Sequence, residues 1–152
     1  MALFEDELIL NCHIDEVFEF LIRPANVIKV SDPSTGLRFV NPPEVVSLGA
    51  RIHFEMVGMG QVQKMEHEIV AFTPPQLIVE EQRKGVMKKW RHEHIFEAQG
   101  QSTRIIDRIE FEPPGGIVGF LLTENKILGL LEDGFFHRQK ALKQHLEKGS
   151  VS

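Results

Sequence analysis

After Pro113-Pro114-Gly115-Gly116 the sequence contains no further proline, and from Ile117 to Lys148 apolar side chains recur at Ile117, Phe120, Leu121, Ile127, Leu128, Leu131, Phe135, Leu142 and Leu146. Most of the intervals are the three or four residues that gather side chains on one face of a helix. About 30 residues at ~1.5 Å each make a rod roughly 45 Å long. An apolar stripe of that length needs a broad apolar partner. Gly129 and Gly134 interrupt good helix formers, so a bend or a close approach to that partner is expected there.

The partner is the segment upstream. Phe4 to Leu10 reads as a first strand, with its phase blurred by Leu8-Ile9-Leu10. The period then changes: acidic Asp15 and Glu16 open a short helix whose face is Val17, Phe20 and Leu21. Pro24 ends it and starts a second short turn through Val27, Ile28 and Val30. Strand signals follow at Leu37–Val40, Arg51–Met56, Gln61–Phe72, Leu77–Gln82, Trp90–Phe96 and Thr103–Phe111. Gly58-Met59-Gly60, Pro74-Pro75, Lys84-Gly85 and Gln99-Gly100-Gln101 punctuate them. Strands joined by short turns imply an antiparallel meander with one charged, solvated face.

Composition limits the function classes. A chain of 152 residues is one ordinary domain, and its formal charge of -5 argues against non-specific binding to nucleic acid or an anionic membrane. The start of the chain carries no basic region followed by an apolar core. No run approaches transmembrane length, so a cytoplasmic location without stable membrane insertion is expected. Cys12 is the only cysteine, and a lone cysteine is ordinarily a small buried hydrophobe. Eleven phenylalanines against one tryptophan and no tyrosine make the aromatic material filler or pocket lining. Gly58-Met59-Gly60 is a hairpin turn, not a phosphate loop. The basic residues Arg83, Lys84, Lys88, Lys89 and Arg91 read as solvated edge protection.

The most pointed chemical feature is polar: His67, His92, His94 and Asp107 are in phase with apolar neighbours, as is Trp90 with Phe96. Residues i and i+2 of a strand lie ~6.5 Å apart on one face, so His92 and His94 can converge, with Asp107 on the next strand orienting either ring. Glu80 is in phase with Ile78, whereas Glu66, Glu68 and Glu93 fall on the charged face. The buried-phase set serves as a hydrogen-bonded structural cluster, as recognition of an oxygen on an otherwise apolar ligand, or as a metal site. The last lacks its third ligand in the sequence, since HxH alone is a weak zinc signal. No metal site, cofactor or oligomeric state is assigned. His92 or His94 with Asp107 are the candidates for acid-base catalysis, with no catalytic role assigned outright.

Three stretches now carry a resemblance: Ile14-Asp15-Glu16-Val17-Phe18-Glu19-Phe20 after the first strand, Trp90-Arg91-His92-Glu93-His94-Ile95-Phe96, and Thr103–Phe111 running into Pro114-Gly115-Gly116. With the element order, the chain resembles the START-like (SRPBCC, polyketide cyclase/dehydrase-like) helix-grip superfamily. The resemblance implies an α+β domain over residues 1–148, with a flexible tail at 149–152. Its seven-stranded antiparallel sheet wraps a long C-terminal helix, and two short helices follow the first strand. It also implies an elongated cavity between sheet and helix, lined here by Phe20, Leu21, Phe54, Met56, Phe120, Leu121 and Leu128, with His67, Glu80, Trp90, His92, His94 and Asp107 as further ligand-binding candidates. The expected function is binding of a small or medium aromatic, polyketide-like or lipid-like molecule. A cyclase or dehydrase using the same cavity, and a protein-interaction module with a filled core, are the alternatives.

Overall fold

The computed structural model describes residues 1–147; the domain boundary expected at 148 and the tail at 149–152 lie outside them. The chain runs β1 (Ala2–Leu10), α1 (Ile14–Leu21), α2 (Pro24–Val30), a 3-10 turn at Pro33–Thr35, β2 (Arg38–Phe39), β3 (Arg51–Gly58), β4 (Gln61–Thr73), β5 (Leu77–Lys84), β6 (Lys89–Gln99), β7 (Ser102–Glu112), α3 (Gly116–Leu121) and α4 (Glu124–Leu146). All seven strands form one antiparallel sheet in the order β1-β7-β6-β5-β4-β3-β2. β3 to β7 meander through short turns, as the alternating pattern and the glycine and proline breaks require, while residues 40–50 form a longer connection from β2 to β3. The first strand closes onto the last.

The ambiguous phase of β1 resolves with Leu8 and Leu10 buried and Ile9 exposed. In α1 the inward face is Ile14, Val17, Phe18 and Leu21, an i, i+3, i+4, i+7 stripe. Phe20, expected on that face, sits beside it half-buried, with its ring 6.0 Å from that of His145. His13 Nδ1 accepts from the Asp15 N–H at 3.3 Å and caps this helix. Thr103 Oγ1 donates to the Cys12 carbonyl at 2.7 Å and fixes the exit from β1.

The rod expected from Ile117 onward is broken in two. Thr123 takes an extended conformation, and its Oγ1 accepts from the Lys126 N–H at 3.3 Å, starting α4 afresh. Lys126 Nζ donates to the Leu121 carbonyl at 3.0 Å, satisfying the end of α3. The 23 residues of α4 give a helix of roughly 35 Å. It buries Ile127, Phe135, Ala141, Leu142 and Leu146, much of the expected stripe. By contrast α3 buries none of its residues, and Ile117 and Phe120 are more than four-fifths exposed. α4 runs through Gly129 and Gly134, and an added Cβ would meet nothing within 4 Å at either; the expected close approach is absent.

The convex face carries the charges. Arg51 bridges Glu66 and Glu68 (2.6 and 3.1 Å), Arg83 bridges Glu68 and Glu81 (both 3.1 Å), and Arg91 reaches Glu81 at 2.7 Å. These residues alternate in sign across neighbouring strands, so the face expected to be merely solvated is an ion-pair ladder. Arg83 and Arg91 of the basic cluster are part of it.

Candidate functional site

Concave-face side chains divide the core into two apolar clusters. One joins α1 and α2 to Phe96, Ile105 and the C-terminal part of α4 (Ala141, Leu142, Leu146). The other joins Phe4, Ile109 and Phe111 to Ile127 and Phe135, with Met87, Trp90, Leu122, Leu128 and Leu131 packed against it. Between them runs a polar belt. On β6 the inward residues read Trp90, His92, His94, Phe96, and on β7 Ile105, Asp107, Ile109; the register sets His94 opposite Asp107 and Asp6 of β1 opposite Asp107 on its other side. Glu80 pairs with His92 from β5, His67 follows on β4, and Arg138 and Gln139 meet the belt from α4.

Short polar contacts hold the belt. His67 Nδ1 and Glu80 Oε1 lie 3.1 Å apart. His94 Nε2 is 3.4 Å from Glu80 Oε2, and its Nδ1 is 3.2 Å from Asp107 Oδ1. His92 Nε2 reaches the same Asp107 oxygen at 2.7 Å, while its Nδ1 lies 4.0 Å from Glu80 Oε1. The two imidazoles stack, with centroids 3.7 Å apart. Arg138 Nη1 pairs with Asp107 Oδ2 at 3.0 Å, and Gln139 Nε2 donates to both Asp6 carboxylate oxygens at 2.8 and 3.1 Å. Phe54 sets its ring at 83° to His67, 4.7 Å away. Phe135 meets His92 edge-on at 6.0 Å and lies under the Arg138 guanidinium.

Charge states follow from these contacts. Burial opposes ionisation of Asp107, but the Arg138 guanidinium and the two histidine hydrogen bonds outweigh it and hold the carboxyl well below the usual range. Glu80 is likewise held ionised against its burial by His67 and His94. Burial, then the neighbouring His94 charge, pull His92 down to about 4 despite Asp107. His94 feels the same burial, yet its hydrogen bonds to Asp107 and Glu80 prevail and raise it to about 9. At neutral pH His92 is therefore neutral with its proton on Nε2, donated to Asp107, and His94 is the imidazolium between two carboxylates. Asp6 is pushed up by burial and by Asp107, against the Gln139 hydrogen bond.

Two features leave the belt incomplete as a closed core. The Glu80 and His94 side chains remain 26% and 17% exposed. The Trp90 indole N–H, in the cluster on the other side of His92, is buried and finds no acceptor among the described residues.

Of the residues expected at the site, the structure brings together His67, Glu80, His92, His94 and Asp107, with Phe54 against His67 and Trp90 and Leu128 in the adjoining apolar cluster. Met56 is half-buried further along β3. Leu21 is buried in the cluster at the opposite end, with Phe20 packed against it. Phe120 and Leu121, expected over the sheet, are 84% and 56% exposed on α3. The sequence reading missed Arg138, Asp6 and Gln139. Arg138 lies three residues after Phe135 and four before Leu142, on the stripe itself; a charged residue in that phase was the available signal.

Two surface grooves lie on the molecule, the first of them edged by Phe4 and Leu128 of the cluster that holds Trp90. One, of about 450 Å³, runs between β1 and α4 and is lined by Phe4, Asp6, Leu128, Glu132, Phe136 and Gln139 among others. The second, of about 430 Å³, lies where the β3–β4 and β5–β6 turns face α3, lined by Met59, Lys64, Gly85, Val86, Pro114 and Val118 among others.

No protein-family model matches the chain, and no curated protein matches it. Solved structures match over almost the whole length. Ara h 8.0201 superposes with a TM-score of 0.62 at 13% identity, covering 95% of this chain and 96% of the other. The ginseng major latex-like protein 151 from Panax ginseng gives 0.67 at 12% identity, covering 95% and 97%. The protein TTHA0849 from Thermus thermophilus gives 0.68 at 16%, covering 99% and 100%. At such identities the likeness is one of architecture. A seven-stranded antiparallel sheet closed over a C-terminal helix, with two short helices after the first strand, gives this chain a helix-grip fold.

Proposed function

We propose that this protein binds a small or medium apolar molecule carrying an oxygen acceptor, in the space between the concave sheet face and the N-terminal half of α4. The observation that carries this reading is the Trp90 indole N–H. A buried donor without an acceptor costs about 1–3 kcal/mol, a penalty that a ligand carbonyl, ether or hydroxyl oxygen relieves on binding. Met87, Leu128, Leu131 and Phe135 of the same cluster provide apolar surface, and the accessible parts of Glu80 and His94 add a polar edge. Binding sites of this kind combine a mainly apolar lining with few directional polar groups. The fold that the chain shares with its structural neighbours suits ligand binding in general.

Native mass spectrometry of freshly purified protein is the test, followed by a thermal-shift screen of hydroxylated aromatic, polyketide-like and isoprenoid compounds. A co-purifying molecule, or a stabilising compound whose effect falls in Trp90→Phe, supports the reading. Absence of both ends it.

A second reading rests on the separation of the two histidines, one held neutral and its stacked neighbour cationic, the arrangement that assigns base and acid at one pH. Acid-base chemistry on the bound molecule would be lost in His92→Gln or His94→Gln with binding retained. Unchanged turnover in both variants would exclude it.

A further inference from the structure

The sequence offers His92 and His94 as two ligands without a third; the structure places Glu80 beside both. One donor atom from each of Glu80, His92 and His94 lies within 4.8 Å of the other two. The nitrogens turned toward Glu80 are His94 Nε2, at 3.4 Å from Oε2, and His92 Nδ1, at 4.0 Å from Oε1. Ligand bonds of 2.0–2.1 Å at tetrahedral angles put donor atoms about 3.3 Å apart, close to the 3.4 and 4.0 Å at which the two rings already stand from Glu80.

The other nitrogen of each ring faces away, and both meet Asp107 Oδ1, at 2.7 and 3.2 Å. A carboxylate that holds the rear N–H of a ligating histidine fixes its tautomer and ring orientation. Here one carboxylate serves two rings, and Arg138 holds it in turn at 3.0 Å. His67 positions Glu80 in the same manner, through Oε1 at 3.1 Å. All three candidate ligands project from paired central strands, β5 and β6, rather than from a loop. An ion at His94 Nε2 displaces the proton held there, so binding releases a proton while the Nδ1–H stays on Asp107.

We propose that Glu80, His92 and His94 form a binding site for a divalent transition-metal cation of the zinc type, oriented from behind by Asp107 and His67 and left with an open coordination position. Two nitrogens and one carboxylate oxygen suit zinc or cobalt rather than calcium or magnesium, which take all-oxygen sites. The site goes beyond the ligand-binding reading and is read out by the metal alone.

The test is titration of chelator-stripped protein with zinc chloride by calorimetry, repeated with cobalt chloride by visible absorption and with zinc by 15N spectra of the histidine side chains. Expected are one equivalent bound per chain, an intense low-coordinate cobalt spectrum, and zinc-induced shifts at His92 Nδ1 and His94 Nε2. Glu80→Gln and His94→Gln should each weaken zinc by at least about 10-fold, with His53→Gln and His145→Gln unchanged. No saturable binding, a solvated-ion cobalt spectrum, or nitrogen shifts confined to other histidines would overturn the proposal. The cobalt and nitrogen readouts use the unaltered chain, so a variant that fails to fold does not shield the idea.

Discussion

The two ends of the core differ in how they are closed. At one end α1, α2 and the last turns of α4 lie over the sheet, and Leu10, Val17, Phe96, Ile105 and Leu142 are at most 2% exposed. At the other end α4 supplies the cover through Ile127 and Phe135, and apolar side chains of α3 and α4 turn outward: Ile117, Phe120, Leu121, Leu130 and Phe136 are all more than half exposed. The polar belt from Asp6 to His67 lies between. Both ends have a buried floor, with Ile109 and Phe111 at 1% and 0% in the second, but the second also keeps exposed apolar surface and an indole donor with no acceptor among the described residues. A sheet with a well-buried floor can leave apolar surface exposed at one end of its core.

The largest expected contrast is between the ends themselves. Phe96→Ala removes a fully buried ring that packs at 5.4 Å, edge to face, against Phe18, and should destabilise by about 3–5 kcal/mol. Phe120→Ala should stay within about 0.5 kcal/mol. Urea unfolding of the two variants checks this, and comparable losses would erase the distinction between the ends. Next comes the belt. Arg138→Leu strands the Asp107 carboxylate among histidines and should cost roughly 3 kcal/mol in the same assay; a neutral result would mean that His94 alone holds Asp107 charged.

Stability against pH sharpens the role of the belt. His94, raised to about 9, adds stability that is complete below its unfolded value near 6.5 and is lost as pH climbs through about 9. His92, lowered to about 4, acts in the opposite sense: its contribution is full above 6.5 and disappears as pH falls through about 4. Melting temperature should therefore peak near pH 6.5, and His94→Gln should flatten the alkaline limb. An unaltered alkaline limb in that variant would contradict the imidazolium assignment. The smallest effect belongs to the open end: Gly129→Ala and Gly134→Ala, each with free space for a Cβ inside α4, should stabilise by about 0.5–1 kcal/mol. A loss at either position would show that the glycine makes a contact on which α4 depends.

The strands were legible because a period of two is hard to imitate: Trp90, His92, His94 and Phe96 could be placed on one face from spacing alone. The same spacing exposed the histidines and Asp107 as polar residues in apolar phase. The helical regions were less legible. Ile117, Phe120 and Leu121 fit the stripe of α4 in periodicity, but Thr123 can capture a backbone N–H three residues on. A Thr followed at once by Glu124 is a helix start that an apolar count overlooks. Phe20 was misplaced for a related reason, since Ile14 and Phe18 complete the inward stripe of α1 without it. Arg138 escaped because long basic side chains on a helix are ordinarily solvated, and only the sheet opposite shows what it meets.

Trp90 is the sole tryptophan and there is no tyrosine, so its emission reports directly on the open end of the core. Titration with hydroxylated polycyclic aromatics, following that emission, is the most direct test of the central claim. The account predicts saturable quenching that weakens when Leu131→Lys places a charge in the same cluster, and that persists in Phe120→Ala. Emission that no such compound alters saturably would contradict it.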